Sequence, residues 1–289
     1  MKLIHFQGLN CYHDCLITIA NASGLDYTAA FSRLWAEGHL RYDPICSVFL
    51  SRRIQETLEN MGMRLGTPLT SVENRLTGWA DTPAGNYVII GMDACFIPWS
   101  PLYQLLHGPH YFIVQKGDTE LHDCFDPTYG IRGQTMSAQE LIHKAYAVIS
   151  IKIDRSSSLS LNDTRNTLPA QAKEVLMAHP ETLRHLLEQA HIWMQGSEKK
   201  RLLPAKYVDC LLTGRYLYKR FLNGQCSAAT KAPLFFSHQY YGKWLAVKNG
   251  LYKAALSNQN SAAFGQSCRL LTCLFEMEVE LARHINASL

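Results

Sequence analysis

The sequence predicts an α+β first half followed by an all-helical second half. Three observations carry this. Apolar residues recur at helical spacing over the first 60 residues or so. Short apolar runs bounded by turn residues follow, from residue 87 to residue 153. Beyond residue 166 the apolar pattern is helical again to the end of the chain. Helices first and an antiparallel sheet afterwards is the α+β order.

The elements come in this order. Residues 11–23 place Cys15, Leu16, Ile19 and Ala20 on one helical face, and Gly24 supplies a stop. Residues 27–37 and 47–61 also read as amphipathic helices. The turn Pro83-Ala-Gly-Asn86 precedes an apolar strand at 87–90. Residues 111–114 and 120–125 are two strands joined through Lys116-Gly117-Asp118, which makes a hairpin. A helix over 137–145 leads to a strand over 147–153. The Ser-rich, polar stretch 154–166 reads as a linker, so the expected domains are 1–154 and 166–289. The second domain predicts helices at 168–178, 181–195, 201–222, 238–257 and 261–285, a bundle or cap. No internal repeat is evident.

Composition narrows the class. Hydrophobic residues make up 47% and charged residues 18%, an ordinary globular balance that argues against disorder. No apolar run approaches the roughly 20 residues of a membrane span. The opening segment lacks the apolar stretch of a secretion signal, so the expected location is the cytoplasm. Nine scattered cysteines without a CxxC pair resemble neither a disulfide framework nor a zinc site. Residues 1–154 carry 11 Lys and Arg against 15 Asp and Glu, a net of −4; the remainder carries 17 against 9, a net of +8. A basic second module attracts an acidic partner by long-range steering, and it equally suits a solvated helical surface.

One constellation carries chemistry. Thiol catalysis needs a thiol, a base within reach, a group that orients the base, and donors for the oxyanion. Cys11 stands where the first helix begins, and a helix N-terminus favours the reactive thiolate. His110 opens one strand of the hairpin and Asp126 ends the other. A turn centred near 117–118 sets these two residues beside each other. Gln7, four residues before Cys11, is the candidate oxyanion donor, together with the Cys11 backbone N–H. Asp93, at the end of the 87–90 strand, either lines the cleft or caps the next turn. Trp99 and Tyr103 are candidates for lining an acyl pocket. The rivals are Cys15 for the nucleophile, His13, His107 and His122 for the base, and Asp123 for the orienting acid.

These motifs resemble a known group. The pattern Asn10-Cys11-Tyr12-x-x-Cys15-Leu16-x-x-x-Ala20-x-x-x-Gly24-x-Asp26-Tyr27 resembles the start of the butirosin biosynthesis protein H N-terminal family. That family is related to the papain-like peptidases that trim bacteriocin leaders. The segment from Gly91 through Pro98 and Trp99 to Tyr103 resembles its middle. His110-Tyr-Phe-Ile-Val114 and Phe125-Asp126-Pro127-x-Tyr129-Gly130 resemble its His and Asp motifs. The resemblance covers roughly residues 5–153 and implies a papain-like fold with a Cys11-His110-Asp126 triad. It further implies an acyltransferase of an antibiotic pathway, of the nonribosomal peptide or polyketide kind. The acyl donor is then a carrier protein's phosphopantetheine thioester, and the acceptor an amine or, on product release, water. Gln7 departs from the pattern, because leader peptidases place this Gln about six residues before the Cys, where this chain has His5.

The chemistry calls for no metal and no cofactor, and neither nucleic acid nor a membrane is an expected partner. Arg201, Lys206, Arg215, Lys219 and Arg220 of the basic half are the candidate surface for an acidic carrier. A peptidase or amidase of the same fold is the alternative reading. The sequence does not fix the oligomeric state.

Overall fold

Asn10 sets the first element. Its backbone is extended, and its side chain accepts from the His13 N–H at 2.9 Å, closing the open end of helix α1, Cys11–Ala22. Tyr12 through Ala20 are all buried, so this helix is enclosed on every side. It ends at Ser23 and Gly24; Gly24 takes φ 79°, which costs glycine nothing.

A computed structural model of the chain describes residues 1–154, 167–225, 231–257 and 261–288. They form two compact units. The first holds Met1–Tyr27, Pro44–Ser47 and Gln55–Ser160; the second holds Thr28–Asp43, Val48–Ile54 and Leu161–Leu289. The division is therefore not the single break expected from the sequence, and the stretch 155–166 lies outside the described residues. Residues 28–43 and 48–54, which contain the small hairpin of β1 (Arg41–Asp43) and β2 (Val48–Leu50), belong to the helical unit. Their rings explain why. Trp35 is fully buried against Tyr218 and Phe235, and Phe49 packs on Tyr207 and Trp193.

The first unit is built on one antiparallel sheet. Its strands are β3 (Met63–Leu65), β4 (Tyr87–Asp93), β5 (Pro109–Gln115), β6 (Leu121–Asp126), β7 (Ile131–Ser137) and β8 (Ala145–Ile153). Their order is β3-β8-β4-β5-β6-β7. Val88, Ile90 and Met92 of β4, Phe112 and Val114 of β5, Cys124 and Met136 share one apolar cluster. Trp79 of α3 (Val72–Ala80) and Leu141 and Ile142 of α4 (Ala138–Lys144) also belong to it. Helix α4 begins with a capping box between Ser137 and Glu140, as the expected helix at 137–145 requires.

Gly91 in β4 is a position where no other residue fits. A Cβ there would lie 2.5 Å from the Tyr146 ring and 2.8 Å from the Tyr111 ring. The absent side chain lets Tyr146 cross the sheet, and its hydroxyl donates to the His110 carbonyl at 3.2 Å. A packing choice in one strand thus fixes the backbone of a candidate catalytic residue in the next.

Three local expectations are corrected. The span 27–37 forms two short 3-10 turns, Tyr27–Phe31 and Leu34–Ala36. The span 47–61 divides into β2 and helix α2, Arg52–Asn60. Helix α5 runs unbroken from Leu168 to Met194 across Pro180, where two helices were expected. Proline removes one backbone hydrogen bond and introduces a clash, but burial of His179 and Thr182 beside it holds the helix together.

The second unit also contains α6 (Glu198–Arg201), α7 (Leu203–Asn223), α8 (His238–Leu256) and α9 (Ser261–Ala287). A charged group is buried at its centre. Arg215 donates to both Glu278 oxygens, at 3.2 and 3.0 Å, and to the Leu34 carbonyl at 3.1 Å. His179 and Tyr240 also bond Glu278. Arg215 and Glu278 are both fully buried, so each compensates the other's desolvation. Burial pushes the Glu278 carboxyl up, but Arg215 and His179 overcome this and hold it down to about 2. Among the described residues, no helix is long and apolar enough to cross a membrane.

Candidate active site

The start of α1, the start of β5 and the end of β6 meet in the first unit. Cys11 is partly exposed at the helix N-terminus. His110, the second residue of β5, is 4% exposed, and Asp126, the last of β6, is fully buried. His110 Nε2 lies 2.7 Å from Asp126 Oδ2. The Cys11 side chain is near enough to interact with the His110 side chain and to raise its pKa. With Nε2 engaged by Asp126, the nitrogen left for the thiol is Nδ1. The structure thus brings together all three of the residues that the sequence pairs by position.

The hairpin reaches this pairing by a different register. The ladder sets Ile113 opposite Phe125, Val114 opposite Cys124 and Gln115 opposite Asp123. Continued outward, it faces Asp126 with Phe112, so His110 sits diagonally from Asp126 on the same face. The turn is centred one residue later than expected, because Gly117 N–H donates to His122 Nδ1 and Thr119 Oγ1 donates to the Leu121 carbonyl. Long polar side chains bridge a diagonal pair, and here they do.

Two neighbours hold the acid and the base. Trp99 Nε1–H donates to Asp126 Oδ2 at 3.0 Å, and its ring stands edge-on to Phe112. The Tyr129 N–H donates to Asp126 Oδ1 at 3.2 Å, and the Tyr129 ring stacks on the His110 ring with centroids 4.6 Å apart. Asp126 is therefore a buried carboxylate with three donors, the form in which a buried charge is tolerated. Burial depresses the basicity of His110. Its bonds and charge interactions with Asp126 and Cys11 outweigh burial and raise its pKa to about 9. The ring thus lies between the Asp126 carboxylate and the Cys11 sulfur.

A second acid stands one turn into α1. Asp14 is fully buried, and its Oδ2 bonds His5 Nδ1 at 2.7 Å and Thr128 Oγ1 at 3.0 Å. Burial raises its pKa to about 6, against the opposing pull of His5 and Thr128. This carboxylate ties the segment before Cys11 to the turn after Asp126. A charged residue directly before the largely apolar stretch Cys15 to Ile19, on the same helix, was the available signal in the sequence.

The remaining candidates fall as follows. Trp99 orients Asp126, a role the sequence did not suggest for it. Asp93 accepts from the Cys95 and Gly108 N–H groups, both at 3.0 Å, and lies 2.7 Å from His107 Nδ1. Of its two expected roles, the capping one is present. Burial raises the Asp93 carboxyl, yet these bonds bring it below the usual range. Tyr103 lies in the loop between β4 and β5 and is 37% exposed. Gln7 is exposed in the turn before α1. Cys15 is fully buried, and burial pushes its thiol well above the ordinary range. His107 is largely exposed and bonded to Asp93. The His13 ring lies against the Asn10 amide, and His122 packs on Trp79. Asp123 is exposed on β6.

Arg215 is removed from the candidate carrier-binding surface, because it is wholly buried and paired with Glu278. Among the described residues, no group of three or more His, Cys, Asp or Glu side chains is placed to hold a metal ion. No protein-family model and no curated protein matches the chain.

Proposed function

We propose that this chain is a cysteine-dependent acyltransferase with a papain-like catalytic domain. It takes an acyl or peptidyl group from a carrier-protein thioester and passes it to an amine. The observation that carries the reading is the relay of Cys11, His110 and Asp126, with the imidazole held between a partly exposed thiol and a buried carboxylate.

The steps follow from that arrangement. Cys11 sulfur attacks the thioester carbonyl, and the phosphopantetheine sulfur leaves with the proton held by His110. The result is a Cys11 acyl-enzyme, formed by thioester exchange with little change in bond energy. The amine then attacks the acyl carbon, His110 takes its proton, and an amide forms as Cys11 is released. The Cys11 backbone N–H at the helix N-terminus, with the Gln7 amide, would face the developing oxyanion. Asp126 keeps Nδ1 directed at the sulfur.

The preference for a thioester over a peptide rests on the likeness of residues 5–153 to the butirosin-type group. It brings with it a cytoplasmic role in specialised-metabolite biosynthesis, with Arg201, Lys206, Lys219 and Arg220 as the remaining candidates to receive an acidic carrier. Trp99 and Tyr103, in the β4–β5 connection, are the remaining candidates to line an acyl pocket.

The test is product analysis. The full chain is incubated with an acyl-pantetheine thioester and a primary amine, and in parallel with peptides. Amide formation that is lost in Cys11→Ala supports the reading. Peptide cleavage without any thioester turnover would replace it with a cysteine peptidase of the same site.

A further inference from the structure

Asp14 lies three residues beyond Cys11, on the same side of α1 and one turn further in. Its backbone N–H donates to the Asn10 carbonyl at 3.0 Å and closes the turn that carries Cys11. Its side chain is fully buried and takes two bonds on one oxygen. His5 Nδ1 lies 2.7 Å from Oδ2, and Thr128 Oγ1 donates to the same atom at 3.0 Å. Oδ1 is buried with no hydrogen-bond partner. Buried carboxylates placed for stability have their oxygens satisfied. Here one oxygen serves two tethers and the other serves none.

Thr128 stands in the turn between β6 and β7. The ladder is irregular there. Its register shifts between Cys124 and Asp126, and the bond across the turn, from the Gly130 N–H to the Pro127 carbonyl, is long at 3.4 Å. The next residue, Tyr129, donates its N–H to Asp126 Oδ1 at 3.2 Å and stacks its ring on His110. Asp14 therefore grips the immediate neighbour of the residue that holds both the acid and the base.

We infer that Asp14 and Thr128 are positioning residues for the relay of Cys11, His110 and Asp126. Through their hydrogen bond, the helix that carries the thiol sets the turn that carries Tyr129. Both act through Tyr129 and leave the reacting atoms untouched. The inference rests on the reading that these three residues are the reacting site. Displacing a catalytic group by about 1 Å can cost about a hundredfold in rate, so one such bond is enough to matter.

The experiment uses the full chain with Thr128→Val, which keeps the shape and removes the hydroxyl, and Thr128→Ser, which keeps the hydroxyl. Asp14→Ala and the double variant with Thr128→Val complete the set. With an acyl-pantetheine thioester and a primary amine, Thr128→Val should lower kcat by about tenfold or more at an unchanged KM. Thr128→Ser should recover most of that loss. The double variant should be no slower than the slower single variant, because both changes break the same bond. By NMR, His110 should titrate at a lower pH in Thr128→Val than in the native chain, as its hold on Asp126 loosens. If Asp14→Ala does not fold, the two Thr128 variants decide. If the native chain transfers no acyl group, the acyltransferase reading fails, while the His110 titration still decides the positioning. An unchanged kcat in Thr128→Val, losses that multiply in the double variant, or a His110 that titrates as in the native chain would overturn the inference.

Discussion

Replacing Asp126 by Asn removes one charge from a buried relay and leaves its shape in place. Burial alone drives the His110 pKa down; Asp126, together with Cys11, reverses that and brings it to about 9. A histidine raised in this way adds stability that is complete below its unfolded pKa of about 6.5 and is lost as the pH rises through about 9. In Asp126→Asn the carboxylate no longer opposes burial, so the His110 pKa should fall by at least about one unit, each unit being about 1.4 kcal/mol. The native chain's stability advantage over the variant should therefore be larger at pH 6 than at pH 10, by at least about 1.4 kcal/mol. Imidazole resonances followed by NMR report the first quantity, and urea unfolding at the two pH values reports the second. Turnover should fall by about 10²–10⁴, the usual contribution of a positioned acid–base pair. A His110 that titrates at the same pH in both proteins would refute the coupling on which the site is built.

Further predictions follow from neighbouring contacts. Iodoacetamide at pH 7 should alkylate Cys11 faster than the exposed Cys273 and leave the fully buried Cys15 unlabelled, as read by peptide mass mapping. Trp99→Phe keeps the ring against Phe112 but deletes the bond to Asp126, and should cost about 1.5–3 kcal/mol in urea unfolding. Asp14, raised from 3.8 to about 6, imposes a stability cost that is present above pH 6 and relieved as the pH falls below it. Asp14→Asn should therefore gain stability relative to the native chain at pH 8, by up to about 3 kcal/mol, and lose that gain by pH 4. Glu278→Gln leaves the Arg215 charge buried without its partner, and thermal or urea unfolding should show a loss of about 3–5 kcal/mol.

What the sequence made legible was local or adjacent. Helix α1 was readable because Cys15, Leu16, Ile19 and Ala20 recur at helical spacing and Gly24 ends it, and both signals lie within the segment itself. Strands β4, β5, β6 and β8 are apolar runs between turn residues, and they appear close to where they were expected. Strand β7 was missed because Ile131–Ser137 is mostly exposed and polar, with only Met136 buried, so it lacks the apolar run that marks a strand. Its pairing with β6 supplies what its own residues do not signal. The 3-10 turns at 27–37 copy a helical spacing because Phe31, Leu34 and Trp35 are gathered into a core supplied by distant helices.

The site divides in the same way. His110 and Asp126 were paired through hairpin arithmetic that was off by one residue in the turn, yet both side chains still share a face. Parity along the strands, which the shift preserved, mattered more than direct opposition. The parts that were not legible are long-range. Trp99 reaching Asp126, Tyr146 reaching the His110 carbonyl through the gap at Gly91, and Thr128 reaching Asp14 each join residues far apart in sequence. Arg215 reads as a surface cation from composition alone, and only its encounter with Glu278, 63 residues away, makes it a core residue.

The central claim is that Cys11 accepts an acyl group and His110 governs its departure. The most direct measurement is intact-protein mass after brief exposure to an acyl-pantetheine thioester, with the adduct located by peptide mapping. The account predicts one acyl group per chain on Cys11, none in Cys11→Ala, and accelerated loss of the adduct when an amine is added. An unmodified chain, or an adduct that persists in Cys11→Ala, would contradict it.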